Sequence, residues 1–156
     1  MRVVLLDPAA FTPQYDHELA AALSSAGADV RLLTSRFRFG EAPEPAGYRR
    51  QELFYPVSSR LFRRSRARLP VKALEHLLGV ARLRRLDADV IHVQWLAAPE
   101  IDDRLLRFRA PSVFTAHDLL PRRTAAMREL WLRLLSRFDR VVVHSERGRK
   151  TLTELG

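Results

Sequence analysis

Short aliphatic and β-branched runs alternate along the chain with stretches of helical spacing. The runs cover residues 2–7, 29–34, 89–94, 112–117 and 140–144. They are continuously apolar rather than alternating, as strands covered on both faces are. Between them Tyr15, Leu19, Ala22, Leu23 and Ala26 recur on one helical face. Thr12-Pro13 supplies the N-cap and first residue of that helix, and Gly27 its stop. Leu74, Leu77, Leu78 and Ala81 form a second stripe. A third runs through Met127, Leu130, Trp131, Leu134, Leu135 and Phe138, with Arg128, Glu129, Arg133 and Arg137 opposite. Ser145 caps a last helix that ends near Gly156. Strand alternating with helix at this spacing predicts an α/β fold. Its form is a doubly wound, mostly parallel sheet of five or six strands with helices on both faces.

The rhythm fails over residues 35–69, which gather Gly40, Pro43, Pro45, Gly47 and Pro56 and leave room for one edge strand at 51–55. Long loops in compact domains are usually functional. This one is also basic: residues 36–72 carry ten Lys/Arg against three Asp/Glu. The whole chain, 156 residues with a net charge of +9, is one domain in length. Its 47% apolar content excludes intrinsic disorder, and the absence of cysteine excludes a disulfide framework. Residues 1–6 run straight into Asp7-Pro8 and read as a strand rather than a signal peptide. No apolar run is long enough to span a bilayer, so a cytoplasmic location is expected.

Ligands of open parallel sheets bind beyond the carboxyl ends of the strands. Those ends deliver Asp7 through Phe11, Thr34-Ser35-Arg36, Gln94-Trp95, His117-Asp118 and His144-Ser145-Glu146. The dinucleotide, P-loop and nucleophile-elbow motifs are absent. So are the acidic cluster and lysine of a receiver domain. His117-Asp118 is the leading catalytic pair, an imidazole beside a carboxylate that fixes its tautomer or acts on substrate hydroxyls. Gln94 and Trp95 offer a hydrogen bond and a stacking surface for a sugar or base, although Trp95 also fits as a lid over the core. Ser145 reads first as a helix cap. His92 reads as a satisfied core histidine, and His17 and His76 as surface or packing residues. His117 and His144 lack a third ligand at regular spacing, so neither a metal nor another cofactor is expected.

Arg60, Arg63, Arg64, Arg66 and Arg68 fit a solvated basic loop or contact with an anionic membrane surface. Such residues contribute about 1 kcal/mol each near an anionic leaflet. Nucleic acid fits least, because no recognition helix or stacking sheet accompanies the charge.

Taken in order, these segments resemble the N-terminal half of a family 4 glycosyltransferase of GT-B architecture. The resemblance rests on Arg2-Val3-Val4-Leu5-Leu6 and on Leu19-Ala20-Ala21-Ala22-Leu23 through Gly27-Ala28-Asp29-Val30. It continues in Asp89-Val90-Ile91-His92-Val93-Gln94-Trp95, Val113-Phe114-Thr115-Ala116-His117-Asp118 and Arg140-Val141-Val142-Val143-His144-Ser145-Glu146. It implies one Rossmann-like domain over residues 1–156 that binds a hydroxyl acceptor, with Phe11, Thr12, Gln94, Trp95 and Ser145 as substrate-binding candidates. A nucleotide-sugar donor would be held mainly by a second domain outside these residues. His117 would border the donor sugar, transfer would proceed with retention, and this domain alone would be inactive. The first β–α loop of the family carries glycines that approach the donor diphosphate; here it reads Ala9-Ala10-Phe11-Thr12-Pro13. A basic loop at the inner membrane face would make the enzyme peripheral. The competing readings are a stand-alone α/β binding or scaffold domain, and a basic module that tethers a partner to membrane or nucleic acid.

Overall fold

The computed structural model describes residues 1–60, 68–118 and 127–155. Its elements are β1 (Arg2–Asp7), α1 (Pro13–Ser25), β2 (Asp29–Ser35), β3 (Arg49–Phe54), α2 (Arg68–Leu83) and β4 (Val90–Val93). They continue with α3 (Pro99–Leu105), β5 (Ser112–Thr115), α4 (Arg128–Leu135), β6 (Arg140–Val142) and α5 (Glu146–Leu155). The strands form one sheet in the order β3-β2-β1-β4-β5-β6, every pair parallel. The doubly wound α/β expectation holds, and the edge strand expected at 51–55 lies at Arg49–Phe54.

Alternate residues of β1 enter two cores, because successive side chains of a strand point to opposite faces. Val3 and Leu5 pack with Ala20 of α1 and with Val30 and Leu32 of β2. Val4 and Leu6 pack with Leu33, Phe54, Val80, Val93 and Trp131, beneath α2 and α4. The strand order reverses between β1 and β4, which pair Val3 with Val90 and Leu6 with Val93. Chains leaving such neighbours diverge to opposite faces and open a crevice at their carboxyl ends.

Helix α1 turns its leucines inward but not the rest of its expected stripe, and α2 buries another face altogether. In α1 the buried residues are Asp16 and Ala20, with Leu19 and Leu23 half-buried; Tyr15, Ala22 and Ala26 face outward. In α2 the inversion is complete. Leu74, Leu77 and Leu78 are 58%, 44% and 48% exposed, whereas Glu75, His76, Gly79, Val80 and Leu83 are buried. The cause is a polar network strong enough to outweigh the leucine stripe. Glu75 accepts the Val57 and Ser58 N–H groups at 2.6 and 3.1 Å. His76 bridges the Tyr55 hydroxyl at 2.8 Å and the Asp102 carboxylate at 2.6 Å. Gly79 then lets the Phe54 ring lie directly against the helix, where any Cβ would overlap it.

Helix α3 is too short to show a stripe and was not expected from the pattern; Asp102 fixes it by accepting the Ala98 N–H at 3.0 Å. The last two strands stop earlier than expected, at Thr115 and Val142, which leaves His117 and His144 in the turns beyond them. Among the described residues no helix is long and apolar enough to cross a membrane.

Candidate functional site

Four strand ends bring one aromatic and imidazole cluster together beyond β1, β4, β5 and β6, at the point where the strand order reverses. The turn after β4 carries Gln94, wholly buried and tied to β1 by its N–H to the Leu6 carbonyl at 2.8 Å. The Gln94 side chain reaches the turn after β5, where Oε1 lies 3.0 Å from Nε2 of His117. Nδ1 of His117 lies 3.1 Å from Nε2 of His144, which follows β6. Both ring nitrogens of His117 are therefore engaged. Trp95 stacks on His117 with an interplanar angle of 8° and donates its indole N–H to Thr12 Oγ1 at 2.9 Å. Phe11 tilts against Trp95 at 5.2 Å between centroids. Tyr15, from the first turn of α1, sets its edge on both His117 (4.7 Å) and His144 (5.5 Å).

The electrostatics follow burial. Desolvation, and then the nearby charge of His144, hold His117 below the ordinary histidine range. His92 lies deeper in β4 and bonds Thr115 Oγ1 at 2.7 Å; burial, reinforced by His117, pushes it down to about 4. His92 is the satisfied core histidine expected from its mid-strand position.

The first β–α turn is organised by its own carboxylate. Asp7, wholly buried at the end of β1, accepts the N–H groups of Ala9 (3.2 Å), Phe11 (2.6 Å) and Thr12 (3.2 Å). Ala10 takes the left-handed conformation there, with φ 52°. The N–H groups that a glycine-rich turn would aim at phosphate are spent on Asp7. Asp7 also bonds the Asp16 carboxyl, which burial and the charge of Asp7 push up to about 9. Burial raises the Asp7 carboxyl as well.

Of the residues singled out in the sequence, Phe11, Thr12, Gln94, Trp95 and His117 meet here. Their roles differ from expectation in detail. Thr12 stands at the N-cap position of α1 without a side-chain cap bond, its hydroxyl serving Trp95 instead. The acceptor that faces Nε2 of His117 is Gln94 rather than Asp118, whose side chain is exposed. Gln94 is buried, and its Nε2 has no hydrogen-bond partner among the described residues. Ser145 caps α5 through Gly148 N–H to Oγ at 3.0 Å. Arg60 is exposed and Arg68 opens α2, while Arg63, Arg64 and Arg66 lie outside the described residues. His76 is a buried packing residue, and His17 bonds the Tyr48 hydroxyl at 3.0 Å. Tyr15 and His144 complete the cluster, yet neither stood among the sequence candidates for substrate. The signal for Tyr15 was its position: the first turn of a helix that follows a strand end lies at the rim, whichever stripe the residue joins.

The family model described as Glycosyltransferase Family 4 matches residues 14–156. No curated protein gives a significant match.

Proposed function

The chain belongs to glycosyltransferase family 4, and on that premise we propose that it is the acceptor-binding half of a retaining enzyme that moves a sugar from a nucleotide-sugar to a hydroxyl acceptor. The observation that carries this reading is the cluster at the switch point. Phe11, Trp95 and Tyr15 offer aromatic surface beside imidazole nitrogen, the combination that suits the apolar faces and hydroxyls of a carbohydrate. His117 and the exposed Asp118 border the reacting sugar, with the Asp118 carboxylate free to accept a substrate hydroxyl.

The donor diphosphate needs N–H groups or cations to receive its charge. Asp7 already occupies the first β–α turn, which supports assigning the donor to a second domain and this domain, alone, no transfer. Calorimetry of the 156-residue chain with UDP-glucose and GDP-mannose tests the division. Dissociation constants weaker than about 1 mM are expected, and tight binding overturns it.

One observation favours a membrane-surface role in addition. The outward face of α2 presents Leu74, Leu77 and Leu78, with Leu69 at its start, between Arg68 at one end and Arg82, Arg84 and Arg85 at the other. An apolar stripe flanked by arginines suits the interface of an anionic bilayer. Sedimentation with phosphatidylglycerol vesicles is expected to carry the chain down at low salt and to release it as salt rises. Leu77→Ser is expected to weaken it, and equal sedimentation with neutral vesicles overturns the reading.

A further inference from the structure

We propose that His144, rather than His117, is the imidazole of this rim that touches the acceptor, and that its Nδ1 receives the hydrogen bond of an acceptor hydroxyl. The inference rests on the acceptor-domain reading above and adds to it a residue and a direction.

The direction comes from the buried end of the chain of contacts. A carboxamide oxygen only accepts, so Oε1 of Gln94, 3.0 Å away, requires the proton of His117 to sit on Nε2. His117 is held neutral by burial, which leaves its Nδ1 as a lone pair. That lone pair, 3.1 Å from Nε2 of His144, requires a proton there in turn. A neutral His144 then has its lone pair on Nδ1, which has no partner among the described residues. A wholly buried amide thus sets the hydrogen-bonding sense of an exposed ring two links away.

The rings are held for this purpose. Trp95 stacks on His117 and Tyr15 sets its edge on both imidazoles, which fixes the ring planes, while the contacts of Gln94 Oε1 and His144 Nε2 set which nitrogen of His117 points where. The nitrogens of His117 face Gln94 and His144, and so face no substrate. The outermost nitrogen of the relay is an acceptor, which suits the O–H of a sugar or polyol and not the lone pairs of a phosphate oxygen. His117 and Gln94 are positioning residues in this scheme.

The titratable groups that face His144 are Tyr15 from α1 and His117 from the turn after β5, with Glu146 and Arg147 following it at the start of α5. The test is set at pH 8.

Imidazole 15N–1H correlation spectra of the 156-residue chain at pH 8 read both tautomers directly. The expected result is Nε2–H on both rings and bare Nδ1 on both. In Gln94→Leu the preference of His117 is expected to be lost; should that buried change unfold the chain, Gln94→Glu, which keeps the acceptor, is expected to retain it. Methyl α-D-glucopyranoside, taken to near-molar concentration, is then expected to move the His144 ring signals ahead of those of His117. Followed by Trp95 fluorescence, its affinity is expected to fall about fivefold in His144→Phe, the loss of one neutral hydrogen bond. A proton on Nδ1 of His117, an unmoved His144, or movement with inorganic phosphate but not with the glucoside each overturns the proposal. Reversed tautomers would sink this inference and leave the family reading standing. A nucleotide-sugar bound tightly by this chain would sink the division of labour and leave the relay intact.

Discussion

Two histidine relays lie on either side of β4's turn, and they differ in where they end. Tyr55–His76–Asp102 is closed: all three side chains are buried, and the carboxylate at its end also holds the Ala98 N–H. Gln94–His117–His144 is buried at one end and exposed at the other. A closed relay ends in partners that are all satisfied, so its contribution is to fold stability. Among the described residues the open one ends in a nitrogen with no partner, the feature on which the proposed recognition rests. The closed relay also explains why Tyr55, a non-glycine residue, is kept at φ 54° directly after β3. Its hydroxyl is fixed by His76, and the Lys72 ammonium lies 4.5 Å above its ring. Burial, together with the charge of Asp102, pushes the Tyr55 hydroxyl above its usual range, so it stays a donor. That left-handed residue costs about 1 kcal/mol, which the network offsets.

The largest effect is expected from breaking the closed relay. His76→Ala leaves the Tyr55 hydroxyl and Asp102 Oδ1 without their partner and opens a void beneath α2. Unsatisfied buried groups and a cavity together cost about 3 kcal/mol or more. His117→Ala, by contrast, exposes its former partners to water and is expected to cost about 1 kcal/mol. Urea unfolding of the two variants checks the contrast, and equal losses would erase the distinction between the relays.

The next effect concerns the histidine beneath the open relay. The folded-state pKa of His92, about 4, lies below its ordinary value of 6.5. Between those two values the unfolded chain binds the proton and the folded chain does not. Stability therefore falls as the pH drops from about 6.5 toward 4, by on the order of 2 kcal/mol after allowance for partial exposure. His117 is shifted the same way and adds to the slope. His92→Gln keeps a partner for Thr115 and is expected to flatten this acid limb in urea titrations at about pH 7, 5.5 and 4.5, the span the two pKa values set. An unchanged slope would mean that the site is wetter than its burial implies.

The strands, the parallel sheet and the rim could be read from the sequence because each rests on local evidence: a β-branched run, then polar or aromatic residues where it stops. Gln94, Trp95 and His117 were found that way. The face of α2 could not be read so. Hydrophobic periodicity assumes that leucines go inward, and α2 reverses this because Glu75 and His76 have partners from β3's turn and from α3, far away in sequence. Nor does spacing disclose that Asp7 would fill its own turn, since an aspartate at a strand end reads equally as a ligand for substrate. The run 140–144 puts His144 at a strand end but does not disclose its part in the relay. Its role depends on the order of three side chains from three strand ends, which no local pattern encodes.

The smallest effect sharpens the open relay alone. Ser145 immediately follows His144, and its Oγ accepts the Gly148 N–H at 3.0 Å at the start of α5. Its carbonyl takes the Arg149 N–H at 3.0 Å, the first bond of that helix. Ser145→Ala removes the cap and is expected to cost about 1 kcal/mol, whereas Ser145→Asp, which caps as well and places a negative charge at the helix N-terminus, is expected to restore it. The closed relay is anchored on α2 and α3, and among the described residues no hydrogen bond joins it to this turn. Hydrogen exchange should therefore rise in α5 and leave the amides of α2 unchanged in Ser145→Ala. Faster exchange in both helices would show the two relays to be coupled through the sheet, and the division between a structural and a recognising histidine would have to be redrawn.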